Sequence, residues 1–87
     1  MLTVTLAARD RLTWKLAHKH AADDVSMRFT RQAGGWKLSL DHAGPADTAI
    51  THEGRNVLLL DKTVALAMKD KKLDVRNTDA GPRLTLR

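Results

Sequence analysis

Cysteine is absent from this chain of 87 residues. Within these residues, disulfides, thiolate zinc sites and cysteine-bound iron–sulfur clusters are therefore excluded. The absence fits a reducing, intracellular compartment. Aromatic residues are also few, namely Trp14, Phe29 and Trp36. Serine occurs only at Ser26 and Ser39, at outward strand positions and without a glycine elbow, so no nucleophile stands out. Long apolar runs are missing too. The longest, Val57–Leu60 and Val64–Met68, fall far short of the ~20 residues that span a bilayer.

The segment Met1–Ala8 is mildly apolar, yet it lacks a leading basic region and is interrupted by Arg9-Asp10-Arg11. It does not read as a signal peptide, and a cytoplasmic location is the expectation. Acidic residues do not balance the basic ones, leaving a net charge of +5 and a pI near 10.1. A small basic protein of this kind invites nucleic acid or an acidic protein as partner. The charge is dispersed, however, and the densest cluster, Lys69-Asp70-Lys71-Lys72, reads as a solvated connection. A nucleic-acid footprint needs clustering rather than a total, so that reading is the weaker one.

The patterns that are present describe a β-rich chain. Leu2-Thr3-Val4 alternates as a short strand, and Thr5 is a fitting N-cap for a helix from about Leu6 to His20. Ala8, Leu12 and Leu16 fall on one helical stripe. Trp14 lies nearly opposite Leu12 and is left for the core edge or a partner. Val25, Met27 and Phe29 alternate with Ser26, Arg28 and Thr30, as Trp36, Leu38 and Leu40 do with Lys37, Ser39 and Asp41. These two strands predict a hairpin around Gly34-Gly35, with Trp36 inward as a core anchor.

A second hairpin is predicted from Thr48–His52 and Arg55–Leu60 around Glu53-Gly54. Val57–Leu60 is apolar on both faces, the mark of a central strand. Asp61 or Thr63 opens a short helix ending near Lys69. Leu73–Arg76 and Arg83–Arg87 are the last strands, with Asn77–Gly81 as the turn between them. The expected architecture is one β-rich α+β domain over residues 1–87. It has about seven short strands in a mixed, mostly antiparallel arrangement, an N-terminal helix and one short helix.

Taken in order, these pieces resemble the HesB-like, or A-type, family of iron–sulfur cluster biogenesis proteins. The resemblance is carried by Met1–Thr5 with Ala7–Leu12, by Pro45–Thr48, by Val57–Asp61, and by Leu73–Val75 with Gly81–Leu84. It covers nearly the whole chain. Carrier members of the family place one cysteine in a glycine-rich loop after the second main strand. Two more lie near the C-terminus. The corresponding loop here is Gln32-Ala33-Gly34-Gly35-Trp36, and Arg87 stands where the extension with the other two begins. The resemblance implies the family's fold in a cysteine-less branch, without its cluster ligation.

The remaining candidates are ligands and charges. His18 and His20 are two residues apart on a helix, so their rings point about 200° apart and cannot share an ion. His42 and His52 lie in or beside adjacent loops, where they could approach each other with Asp41 or Glu53. Asp47 and Asp61 sit where a carboxylate satisfies free backbone N–H groups. Gly34-Gly35 runs into a strand, so it is not a phosphate loop. Arg28, Arg76 and Arg83 form a basic face if their strands are neighbours. No catalytic, cofactor-binding or metal-binding residue is assigned, and no enzyme activity or cofactor is expected. The expected role is a binding or accessory module with a protein partner, a homodimer being open.

Overall fold

A computed structural model describes residues 1–87. In chain order the elements are β1 (Thr3–Val4), α1 (Leu6–His18), β2 (Val25–Gln32), β3 (Gly35–His42) and β4 (Thr48–His52). They continue as β5 (Arg55–Leu60), α2 (Lys62–Ala67), β6 (Lys72–Thr78) and β7 (Gly81–Leu86). The seven strands form two mixed sheets, one ordered β1-β6-β7 and the other β3-β2-β5-β4. Two of the pairings, β1 with β6 and β2 with β5, are parallel.

Both helices begin as their sequences predict. The Thr5 hydroxyl accepts the Ala8 N–H at 3.1 Å, and the Asp61 carboxylate accepts that of Val64 at 2.8 Å. Thr5 also donates to Asp74 Oδ1 at 2.9 Å, which ties the helix start to β6. The end of α1 differs from expectation, falling at His18 rather than His20. His20 takes a left-handed backbone (φ 54°), its N–H donates to the Ala17 carbonyl, and the Ala21 N–H donates to that of Leu16. This is a Schellman closure with histidine in the position glycine usually takes.

The hairpins follow turn chemistry. Glu53 and Gly54 both have positive φ, the type I′ geometry whose twist matches the flanking strands. β6 and β7 run further than predicted, turning at Asp79-Ala80, because Thr78 closes the turn from both sides. Its hydroxyl accepts the Ala80 N–H and donates to the Gly81 carbonyl.

The core lies between α1 and the two sheets. Ala8, Leu12 and Leu16 of α1 are fully buried in one cluster with Val4, Met27, Leu58, Leu60, Met68 and Leu73. All four residues Val57–Leu60 are buried, as expected for β5 inside its sheet. Two inward or outward assignments are corrected. Leu40, expected inside, is 42% exposed, because β3 is an edge strand and Leu40 lies at the rim of its row. Ser26, expected outside, is buried, and its hydroxyl donates to the Asn56 carbonyl at 2.8 Å. The parallel pairing of β2 with β5 brings that carbonyl across and makes a polar side chain acceptable there. Leu84 and Leu86 face the core from β7 and are half-buried.

Candidate functional site

The β2–β3 hairpin tip is where the resemblance places the first cluster ligand. Its geometry is open. Gln32, Ala33, Gly34 and Gly35 are exposed, and a Cβ built at Gly34 or Gly35 meets nothing within 4 Å. The neighbouring side chains are Arg31 and Trp36, which are register partners. Arg31 lies over the Trp36 ring at 5.4 Å. Trp36 packs edge-on to Phe29 at 6.3 Å and is half-buried, so it faces inward as predicted but sits at the rim of the core. No thiol, imidazole or carboxylate occurs between Arg31 and Trp36. The donors needed to hold iron are absent from this tip, and the residues present do not fit a cluster there.

Arg28 is the most heavily partnered cation in the chain. Its Nε donates to Asp41 Oδ2 at 2.8 Å, and its Nη1 to Asp47 Oδ1 at 2.9 Å. Its Nη2 pairs with Asp47 Oδ2 and also donates to the His42 carbonyl at 3.3 Å. Asp47 Oδ2 accepts the Gly44 N–H at 2.6 Å, as its turn position predicts. A Cβ at Gly44 would stand 3.3 Å from that oxygen, so a bare glycine suits the turn. The Arg28 hydrogen bonds, then the Gly44 N–H, hold the Asp47 carboxyl down at about 2, against an ordinary 3.8. Asp41 is lowered as well, by the His42 N–H first and by Arg28 second. The same two bonds to Asp47, opposed by burial, raise Arg28 further above its ordinary range. The cluster clips the loop before β4 onto β2. One guanidinium serves two carboxylates, so Arg28 is fully committed within the cluster and is not free for an outside anion.

The histidines do not assemble. His42 ends β3 and His52 ends β4, and these are the opposite edges of the four-stranded sheet. Three strand spacings separate them, roughly 14 Å. The strand order rules out the approach of the two rings that their loop positions left open. His42 Nε2 faces Asp24 at 3.4 Å, with both side chains exposed. His52 Nε2 faces Asp10 at 2.7 Å, with Glu53 further away at 3.9 Å. The His52–Asp10 pair fastens α1 to β4. No group of three or more His, Asp or Glu side chains comes together at metal-binding distance.

The condition for a basic face of Arg28, Arg76 and Arg83, that their strands be neighbours, is met only for the last two. Arg76 and Arg83 are direct cross-strand partners on β6 and β7. Arg28 is in the other sheet, committed to Asp41 and Asp47. Sequence reasoning missed two cations that do join Arg83, namely Arg11 and Lys15 of α1. With Arg83, Leu38, Pro82 and Leu84 they line an open concavity of about 500 Å³. The signal was their spacing, since residues i and i+4 share one helix face.

No family model matches the chain, and no curated protein sequence matches it. Solved structures do. SufA of Escherichia coli, described as involved in the biosynthesis of iron–sulfur clusters, matches with a TM-score of 0.74 at 20% identity. That match covers 99% of this chain and 83% of SufA. IscA, solved with a 2Fe–2S cluster, matches with a TM-score of 0.66 at 17% identity, covering 100% of this chain and 84% of IscA. The chain has the fold of these two A-type proteins, as its element order predicts. It carries that fold without cysteine.

Proposed function

We propose that this chain is a binding or accessory module on the A-type fold, one that neither holds a cluster of its own nor acts as an enzyme. The observation that carries the reading is the β2–β3 tip. On a fold shared with a cluster-bearing protein, the tip offers an arginine, a glutamine, two glycines and a tryptophan. None of these ligates iron in place of a thiolate. His42 and His52 support the same reading, because each, from a separate edge strand, is turned to a carboxylate of its own. No enzyme is proposed because the polar groups that converge most closely, around Arg28, are tied to one another in closing the loop before β4.

Anaerobic incubation with ferrous iron and sulfide, followed by a visible spectrum, tests this. The desalted chain is expected to be colourless. A persistent charge-transfer band that follows the protein through the column is the contrary result.

A further inference from the structure

The concavity beside Arg83 has a composition that the cluster-free reading does not use. α1 presents Arg11 and Lys15 one turn apart, and β7 presents Arg83 next to them. None of the three is paired with a carboxylate. The Arg11 Nε is buried and has no hydrogen-bond partner. Burial, and then the charges of Arg11, Lys19 and Arg83, hold the Lys15 ammonium below its ordinary pKa of 10.5. Like charges at such a spacing repel, and an isolated chain gains nothing from gathering them. An anion placed among them relieves that repulsion.

The rest of the wall is aliphatic: Leu38 from the edge strand β3, with Pro82 and Leu84 from β7. Arg11 and Pro82 also line an adjoining concavity of about 390 Å³ with Trp14 and Val75, so the surface is continuous. Asp10 at that end is held by His52, and Asp79 lies beyond Arg83.

Trp14 decides between two kinds of anionic polymer. Its ring stacks on His18 at 4.7 Å, nearly parallel, and the Arg11 guanidinium lies 4.0 Å from the ring centre. Arg11 comes from the turn before Trp14 and His18 from the turn after, and both lie against the ring. A nucleobase would have to compete with His18 and Arg11 for this ring, whereas stacking platforms for bases are free aromatic faces. A peptide needs apolar seats beside basic groups, and Leu38, Pro82 and Leu84 supply them.

We propose that the groove between α1 and β7 receives an acidic peptide segment of a partner protein. Its carboxylates pair with Arg11, Lys15 and Arg83, and its aliphatic side chains rest on Leu38, Pro82 and Leu84. This deepens the binding-module reading and rests on it, by giving that module a place and a partner chemistry.

The probe is a labelled synthetic peptide in which leucines alternate with pairs of glutamates. It is titrated into the purified chain at low salt and read by fluorescence anisotropy. Saturable binding that weakens with added salt is expected, with a loss of about tenfold for the glutamine version of the peptide. K15E and R83E should each weaken binding by about tenfold or more. K71E makes the same change in net charge outside the groove and should leave affinity within about twofold. K15E sets a carboxylate among Arg11, Lys19 and Arg83, so its melting temperature should rise rather than fall. A cooperative K15E melt at or above that of the parent chain separates loss of binding from loss of fold.

Three results overturn the proposal: no saturable binding, equal losses for K71E and K15E, or tighter binding of a single-stranded oligonucleotide than of the peptide. The cluster-free reading fails separately. A chain that acquires a cluster but still binds the peptide refutes only that reading, and a colourless chain that ignores the peptide refutes only the groove.

Discussion

Arg28 and Asp47 lie 19 residues apart in sequence and meet fork to fork, both η nitrogens of the guanidinium facing both carboxylate oxygens. Their side chains are 14% and 8% exposed. The pair closes the loop that crosses from the end of β3 to the start of β4, and so sets where the second hairpin docks.

Arg28→Ala should destabilise the fold by about 2–3 kcal/mol. That is less than the ~3–5 kcal/mol of a fully buried pair, because Arg28 keeps some contact with water. Asp41→Ala should cost much less, since Asp41 is half exposed and its interaction is screened. Urea denaturation of the two variants checks the order. Equal losses would mean that Asp47 is not the dominant partner.

Asp47 also gives the fold an acid limit. Its folded-state value of about 2 lies below its ordinary 3.8. The stability it contributes is therefore complete above the unfolded value and is lost as pH falls through the folded one. Asp41 and Asp74 are lowered in the same direction, Asp74 chiefly by the Val75 N–H and then by Thr5. The urea midpoint should thus drop as pH goes from about 4 to about 2. Asp47→Asn should be less stable at neutral pH and show a shallower drop across that range. An unchanged slope in the variant would show that other carboxylates govern the acid limb.

His20 gives a prediction in the stabilising direction. A histidine with φ 54° occupies the left-handed position that closes α1. His20→Gly should add about 1 kcal/mol, because glycine takes that conformation without a Cβ clash. For a domain of this size the melting temperature should rise by about 4–8 °C. A fall would mean that the imidazole itself makes a contact worth more than the relieved strain.

Thr5 serves two elements at once, capping α1 and donating to Asp74 of β6. Thr5→Val keeps the shape and removes both bonds, at about 1–2 kcal/mol. Thr5→Ser should retain most of the stability. Thermal melts of the two variants separate the hydroxyl's role from that of the methyl group.

Local chemistry was legible in the sequence. Thr5 and Asp61 cap the helices they were expected to cap, and Glu53-Gly54 turns the hairpin it was expected to turn. The doubly apolar run Val57–Leu60 lies in an inner strand. Non-local choices were not legible. Nothing in the alternation of Ser26 with Met27 says that β5 will lie parallel beside β2 and offer Ser26 a carbonyl. The division of seven strands into two sheets has the same cause, since the parallel pairings join segments far apart in the chain.

The site divided along similar lines. The hairpin tip without a ligand could be read directly, because a missing residue type needs no coordinates. The partners of Arg28 could not be read, because an arginine on an outward strand position looks alike whether free or clamped. Arg11 and Lys15 lie off the apolar stripe of α1, and nothing in their spacing says that β7 will bring Arg83 beside them.

We propose that the A-type fold persists here without cluster ligation. The most direct test is the iron and acid-labile sulfide retained per chain after anaerobic reconstitution and desalting. Neither is expected in stoichiometric amount, with the fold's circular dichroism unchanged. Iron and sulfide retained together at a fixed ratio to this cysteine-free chain would contradict it.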